Sequence, residues 1–385
     1  MDEPRVTLSA AMLGYKCNQK GCCCKGWVIP FNPEGLGRIA DALGQEEAQE
    51  RLGWGLQFVV DDVKGEIEAV HFERVGEDDR CRFLEPQGGC EIHRRFGTEA
   101  LPDLCVNFPV VAYDTGESVE LHYEAVCPSV LDQLAHDPTP YLAVALDREL
   151  RPDIAIRARS PRERPQIDLG GLELSWEQLT LIRSRLLDAL VDVERPAIEH
   201  LSAISYAFDR LRAGRPPADF EVSYGDPVEP FFDFFDACAG VHSGEVLAQM
   251  WRPYRRFIWD FDVKDERLGD LAFWLDRWTE PMERWMVDQE PLLRPLLVRF
   301  LAHRYFSIFI MVRGELIFAY GSVPHAQALA LRVAAALSGA LGRPTDLGIM
   351  KAALGFSDYI YRGLKLPMSS LPWFTPLSGA PDGRG

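Results

Sequence analysis

Eight of the nine cysteines in this chain fall between positions 17 and 127. Four of them, Cys17, Cys22, Cys23 and Cys24, fall within eight positions, and Cys81, Cys90, Cys105 and Cys127 follow. Only Cys238 stands elsewhere. Scattered intracellular cysteines serve as small buried hydrophobes. Thiols gathered this densely point instead to thiolates collected around a metal. A disulfide framework is argued against on three grounds. The total of nine is odd, and three adjacent cysteines cannot all pair without strain. The stretch Met1 to Leu13 has no basic region leading into an apolar one, so no export signal is read and the thiols are expected to meet a reducing cytoplasm.

At 385 residues the chain exceeds what one growing core accommodates, so two domains are expected. Apolar residues make up 47% of it, enough for a sizeable core. With 58 acidic and 41 basic residues the net charge is −17, which repels phosphate backbones and anionic lipid. Neither nucleic acid nor membrane is therefore expected as a partner; cationic, lysine-bearing segments suit this charge better. The late apolar run Tyr305 to Val312, bounded by Arg304 and Arg313, is too short to span a bilayer and reads as a core helix.

The expected fold is α+β, with a small cysteine-rich metal-binding domain of short hairpins at 1–160. A mainly helical domain at 165–365 and an irregular tail at 366–385 follow. Asn32-Pro33-Glu34 opens a helix with a cap, a proline at the first helical position and an early acid. Hairpins are expected from Leu56–Asp61 with Glu66–Glu73, and from Val106–Tyr113 with Ser118–Ala125. These place the thiols at strand ends and turns. Pro128 starts a helix running to about His136. The charged, proline-bearing stretch Arg159 to Pro165 is the expected linker.

Beyond it, Ser175-Trp176-Glu177-Gln178 is a capping box, with Leu174 and Leu179 as its hydrophobic staple. Apolar residues then recur at helical spacing from Leu179 through Val193, and again from Pro196 to Leu211. Further helices are expected at Glu245–Trp251, Leu268–Val287, Leu292–Val312, Val323–Leu341 and Asp346–Arg362.

Soft thiolates select zinc, copper(I) or iron–sulfur clusters. The paired C-x2-C knuckles of structural zinc are missing, and so are the triplet spacing of radical S-adenosylmethionine enzymes and a ferredoxin run. Spacing alone leaves zinc and iron–sulfur both open. Cys23-Cys24-Lys25-Gly26-Trp27, Cys81-Arg82-Phe83-Leu84, Cys90-Glu91-Ile92, Cys105-Val106-Asn107-Phe108-Pro109 and Cys127-Pro128 occur in the order of the cysteine-cluster family described as zinc- or iron-chelating. Within that family the chain most resembles the flagellin lysine-N-methylase branch. The resemblance is strong over 15–135 and diffuse beyond. It implies methyl transfer from S-adenosylmethionine to lysine amines of a protein such as flagellin, with an iron–sulfur (4Fe-4S) cluster taking part. The branch places a further cysteine well before the CC pair, whereas here Cys22 abuts it. All eight clustered thiols are carried forward as metal-ligand candidates, and a non-enzymatic protein whose zinc or iron–sulfur site is structural, chelating or metal-sensing stays open beside the methylase reading.

Trp27 and Phe83 are expected to wall the cofactor pocket, where a dry shell tunes a cluster. His93, three residues after Cys90, reads as a helix residue rather than a ligand. The run Glu229 to Asp236 mixes phenylalanines with acids. It reads as a half-buried helix with solvated carboxylates in preference to a cage for methylated lysine. Gly35-Leu36-Gly37 follows no strand and lacks the third glycine of a nucleotide fingerprint, so a Rossmann-type methyl-donor site is not expected.

Overall fold

A computed structural model describes residues 5–18, 21–25, 32–53, 55–60, 67–72, 75–76, 80–114, 118–146, 167–168, 173–240, 243–258, 271–277, 282–311 and 316–363. Expectations resting on Trp27, the turn at 62–65, the linker at 159–165 and the tail from Leu366 fall outside the described residues. The chain is mixed α and β, with strands and hairpins toward its start and mainly helices after them.

Strand β1 (Arg5–Ser9) runs between two later strands, parallel to β5 (Ser118–Tyr123) and antiparallel to β6 (Ala143–Leu146). Strand β4 (Val110–Asp114) completes the sheet on the far side of β5, in the order β4-β5-β1-β6. Val6 and Leu8 of β1 and Leu121 of β5 are fully buried on this sheet. A separate hairpin pairs β2 (Leu56–Val60) with β3 (Ile67–Phe72), as the β-branched content of the two segments predicts. A two-residue ladder, β7 (Ile167–Asp168) with β8 (Glu173–Leu174), precedes the helices.

Helix α1 (Pro33–Leu43) starts where expected, with the Asn32 side chain accepting from the Gly35 N–H at 2.9 Å. Short helices α2 (Gln45–Leu52), α3 (Glu91–Phe96) and α4 (Asp103–Asn107) contribute Leu52, Ile92 and Val106 to the same apolar cluster as Val70 and Phe72 of β3. Helix α4 corrects the second expected hairpin: its first strand begins at Val110 rather than Val106, because the preceding residues close a helical turn. Helix α5 (Pro128–His136) follows Cys127 directly.

The helical part opens with α6 (Trp176–Ala189), where both halves of the Ser175–Gln178 capping box are formed. Helices α7 (Ala197–Arg212), α8 (Glu229–Gly240), α9 (Gly244–Ile258) and α10 (Leu271–Arg277) come next. On α8, Phe231, Phe234 and Phe235 are buried and Asp233 and Asp236 are exposed, the bland arrangement. The expected break between 287 and 292 does not occur: α11 (Met282–Met311) runs through Pro291 and Pro295. Core burial of Leu293, Leu296, Leu297, Phe300 and Leu301 outweighs the backbone bonds those prolines forfeit. Helices α12 (Leu316–Leu341) and α13 (Leu347–Gly363) pack tightly on one another. No helix among the described residues is long and apolar enough to cross a membrane.

Apolar packing forms two clusters. The larger joins the four-stranded sheet and α5 to the helical part, with members from Val6 to Ile360. The smaller is built on Ile39, Leu43, Val70, Phe72, Phe83 and Ile92 from α1, β3 and α3. Buried ion pairs stitch the larger one. Arg183 of α6 grips Glu120 of β5 through two hydrogen bonds of 2.7 Å, and Arg304 of α11 pairs with Asp358 of α13.

Candidate metal centre

The eight clustered thiols line a single cavity of about 600 Å³ between the two apolar clusters. Several local devices bring the thiols to it. Gly21 adopts a left-handed φ of 71°, and Cys22–Cys24 then form one 3-10 turn. The left-handed φ favours glycine, and a Cβ on Gly21 would stand 2.3 Å from Leu84 Cδ1, displacing that side chain on the loop that carries Cys81 and Cys90. The turn is held to that loop by the Cys81 N–H, which donates to the Cys24 carbonyl at 2.7 Å, and by an antiparallel bridge between Lys25 and Arg80. A second bridge, Leu84 with Cys90, folds the Gln87-Gly88-Gly89 turn back on itself.

Cys90 and Cys127 both sit at the N-cap of a helix, α3 and α5 respectively, where backbone N–H groups face the sulfur. Cys105 lies in α4, held by Arg38 of α1, which donates to Asp103 at 2.8 Å and to the Leu101 carbonyl at 3.1 Å. Cys17 and Cys105 are exposed, Cys22 and Cys127 buried, and the other four half-buried.

Around these turns, Arg51 binds Glu91 through bonds of 2.7 and 2.9 Å and lies 4.7 Å from the centre of the Phe83 ring. Arg95 joins Glu91 and Glu47 to the same network, tying α3 and Cys90 to α2. Phe83 is buried edge-on to Phe72, their centroids 5.2 Å apart, and both rings wall the cavity. On the opposite side, the Asp358 carboxylate that pairs with Arg304 accepts the Val126 N–H at 2.9 Å. The residue before Cys127 is thus anchored to the helical core.

The sulfurs interact with each other. Cys23 and Cys24 Sγ are 3.9 Å apart. Tetrahedral zinc with bonds of about 2.3 Å spaces its sulfurs by about 3.8 Å, so this pair matches a shared metal. The Cys23 thiol is pushed well above its ordinary pKa by its hydrogen bond to Cys24 and by burial. Cys127 is held below its ordinary value, first by a hydrogen bond from Cys22, against burial, and further by Tyr15 and the N–H groups that open α5. Burial pushes Cys90 up. Among the described residues no three His, Cys, Asp or Glu side chains close on one point at single-ion distances, and no two cysteines are joined by a disulfide. The donor set is nevertheless that of a soft-metal centre. Eight thiols face one space, and Glu85, the carboxylate lining it, is engaged by Arg94 in bonds of 2.6 to 3.0 Å.

Residues not foreseen from the sequence also line the cavity. Tyr15 places its hydroxyl 3.6 Å from Cys127 Sγ, while Ile39, Leu101 and Phe108 give apolar wall. The only signal for Tyr15 was its place two residues before Cys17. His93 lies on α3 at the cavity edge, as a helix residue. Gly35 and Gly37 are inside α1.

No family model matches the chain, and no solved structure matches it. It is similar to the flagellar biosynthetic protein FliU of Salmonella muenchen, 26% identical over 144 residues, which make up 36% of this chain and 81% of that protein.

Proposed function

We propose that this protein carries a thiolate-bound metal centre, iron–sulfur in the first instance, and transfers methyl groups from S-adenosylmethionine to lysine amines of a protein. The observation that carries the reading is the meeting of eight thiols, from segments up to 110 positions apart in sequence (17 to 127), around one cavity. The cavity volume lies within the ordinary range for a small-molecule site. The likeness to a flagellar biosynthetic protein supports a flagellin-related acceptor, and a net charge of −17 suits a lysine-bearing segment.

Cys22, Cys23, Cys24, Cys81, Cys90 and Cys127 would hold the group, with Cys17 and Cys105 at its exposed side. Such a group supplies an electron source or a Lewis-acidic position. The chain's own contribution is an apolar wall from Phe72, Phe83 and Ile39, with the 3-10 turn at Cys22–Cys24 and the helix starts at Cys90 and Cys127 to place thiols. The incoming lysine must shed its ammonium proton before its nitrogen can attack carbon.

A second reading has its own support. Cys22 and Cys127 belong to the larger apolar cluster, while Cys81 and Cys90 pack on the smaller. A metal between them would fasten the two together, which is a structural role needing no methyl donor. The test is oxygen-free purification, then incubation with S-adenosylmethionine and lysine-bearing peptides, flagellin-derived included, read by mass spectrometry. Methylated lysine formed only by metal-loaded protein supports the enzyme. Full metal loading with no methylation of flagellin or generic lysine peptides leaves the fastening role.

A further inference from the structure

Tyr15 is the residue beside this centre that no cysteine motif marks. Its backbone N–H donates to the Met12 carbonyl at 3.2 Å, and its ring leans on Tyr123 of β5 with centroids 5.0 Å apart. Tyr123 is 1% exposed, so the second ring is immovable core. The phenol is therefore delivered to one place, and there its oxygen stands 3.6 Å from Cys127 Sγ, within sulfur hydrogen-bonding range. Cys127 is itself 2% exposed, so little water competes for the contact. A metal-bound cysteine carries no proton and can only accept. The phenol, whose O–H can donate, must then be the donor.

We propose that Tyr15 is a positioning residue for this centre: its O–H donates to Cys127 Sγ, fixes the direction of that sulfur and withdraws electron density from its bond to the metal. The inference rests on the metal-centre reading above and adds to it a residue that touches no metal. Hydrogen bonds to ligating sulfurs are among the means by which a protein tunes such a group. Deleting one leaves the sulfur a stronger donor, which favours the oxidised state of a redox-active metal.

The test is Tyr15→Phe, which keeps the ring against Tyr123 and removes only the hydroxyl. Wild type and variant are purified without oxygen and analysed for bound metal. Where the metal is iron, a reductive titration should give equal iron content and a midpoint potential more negative in the variant. Where it is zinc, exchange for cobalt(II) should move the sulfur-to-cobalt charge-transfer band to longer wavelength, at equal cobalt content. Potential and band identical to wild type would overturn the proposal. So would a loss of metal with an unaltered signal in the fraction retained, because that is the mark of a merely structural tyrosine. A wild-type protein that holds no metal on its cysteines refutes the metal-centre reading first and this inference with it, and is recognised before any variant is made.

Discussion

Replacing Arg183 with methionine tests how the sheet that carries the approach to Cys127 is held to the helices. Glu120 is 3% exposed, Arg183 5% and His122 3%, so the variant leaves a carboxylate in the interior without its bidentate partner. Burial pushes the Glu120 carboxyl up, but Arg183 and then His122 pull it further down, to about 2 against an ordinary 4.5. A displacement of that size corresponds to about 3 kcal/mol of folding free energy. Independently, breaking a buried pair by removing one partner costs ~3–5 kcal/mol. Urea denaturation at pH 7, followed by circular dichroism with matched metal content, should therefore show a loss of about 3 kcal/mol.

The pH dependence supplies a sign. In wild type the Glu120 contribution is fully present above the unfolded pKa and is lost as pH falls from about 4.5 toward about 2. In the variant only burial and His122 act on the carboxyl. Its pKa rises, and protonation relieves the unpaired charge as pH falls. The difference between the two proteins should shrink from pH 7 to pH 4. Adding Glu120→Gln should recover much of the loss, because a neutral amide is cheaper to bury than a lone charge. A single variant within ~0.5 kcal/mol of wild type, the usual effect of a surface substitution, would refute the reasoning.

Gly21→Ala should cost about 1–2 kcal/mol from its left-handed backbone alone and lower metal content, since the new Cβ meets Leu84. Trimming Leu84 to alanine in the same chain should not restore stability, because the backbone strain remains. Asp358→Asn removes the carboxylate that faces Arg304 and anchors Val126. A loss of ~3–5 kcal/mol in chemical denaturation is expected, with reduced metal retention at Cys127. Stripping metal with a chelator should speed amide exchange across the smaller apolar cluster, at Pro33–Phe96, while α12 and α13 keep their protection; uniform exchange throughout would contradict the bridging position of the thiols.

Much of the fold was legible because it rests on local chemistry. The Asn32 cap, the Ser175 capping box, the β2–β3 hairpin and the start of α5 at Pro128 are each written in a few neighbouring residues. What escaped depends on distant partners. Strand β1 looks unremarkable in sequence and becomes a strand because β5 and β6, over a hundred positions later, flank it. The expected breaks around Pro291 misjudge α11 because tertiary burial decides there, not propensity.

At the site, the cysteines announced their own importance through clustering. The supporting cast did not: Tyr15, the Arg51–Glu91 pair and the Asp358 anchor owe their roles to contacts across 40 to 232 positions. No local pattern encodes a hydrogen bond of that span.

The account stands on sulfur gripping metal, and X-ray absorption at the metal edge reads that bond directly. Protein purified without oxygen should hold a stoichiometric metal whose nearest shell is sulfur at about 2.3 Å, and replacing Cys22, Cys24, Cys81 and Cys127 with serine should abolish it. A wild-type protein with no stoichiometric metal, or one whose nearest shell is nitrogen and oxygen only, would contradict the account.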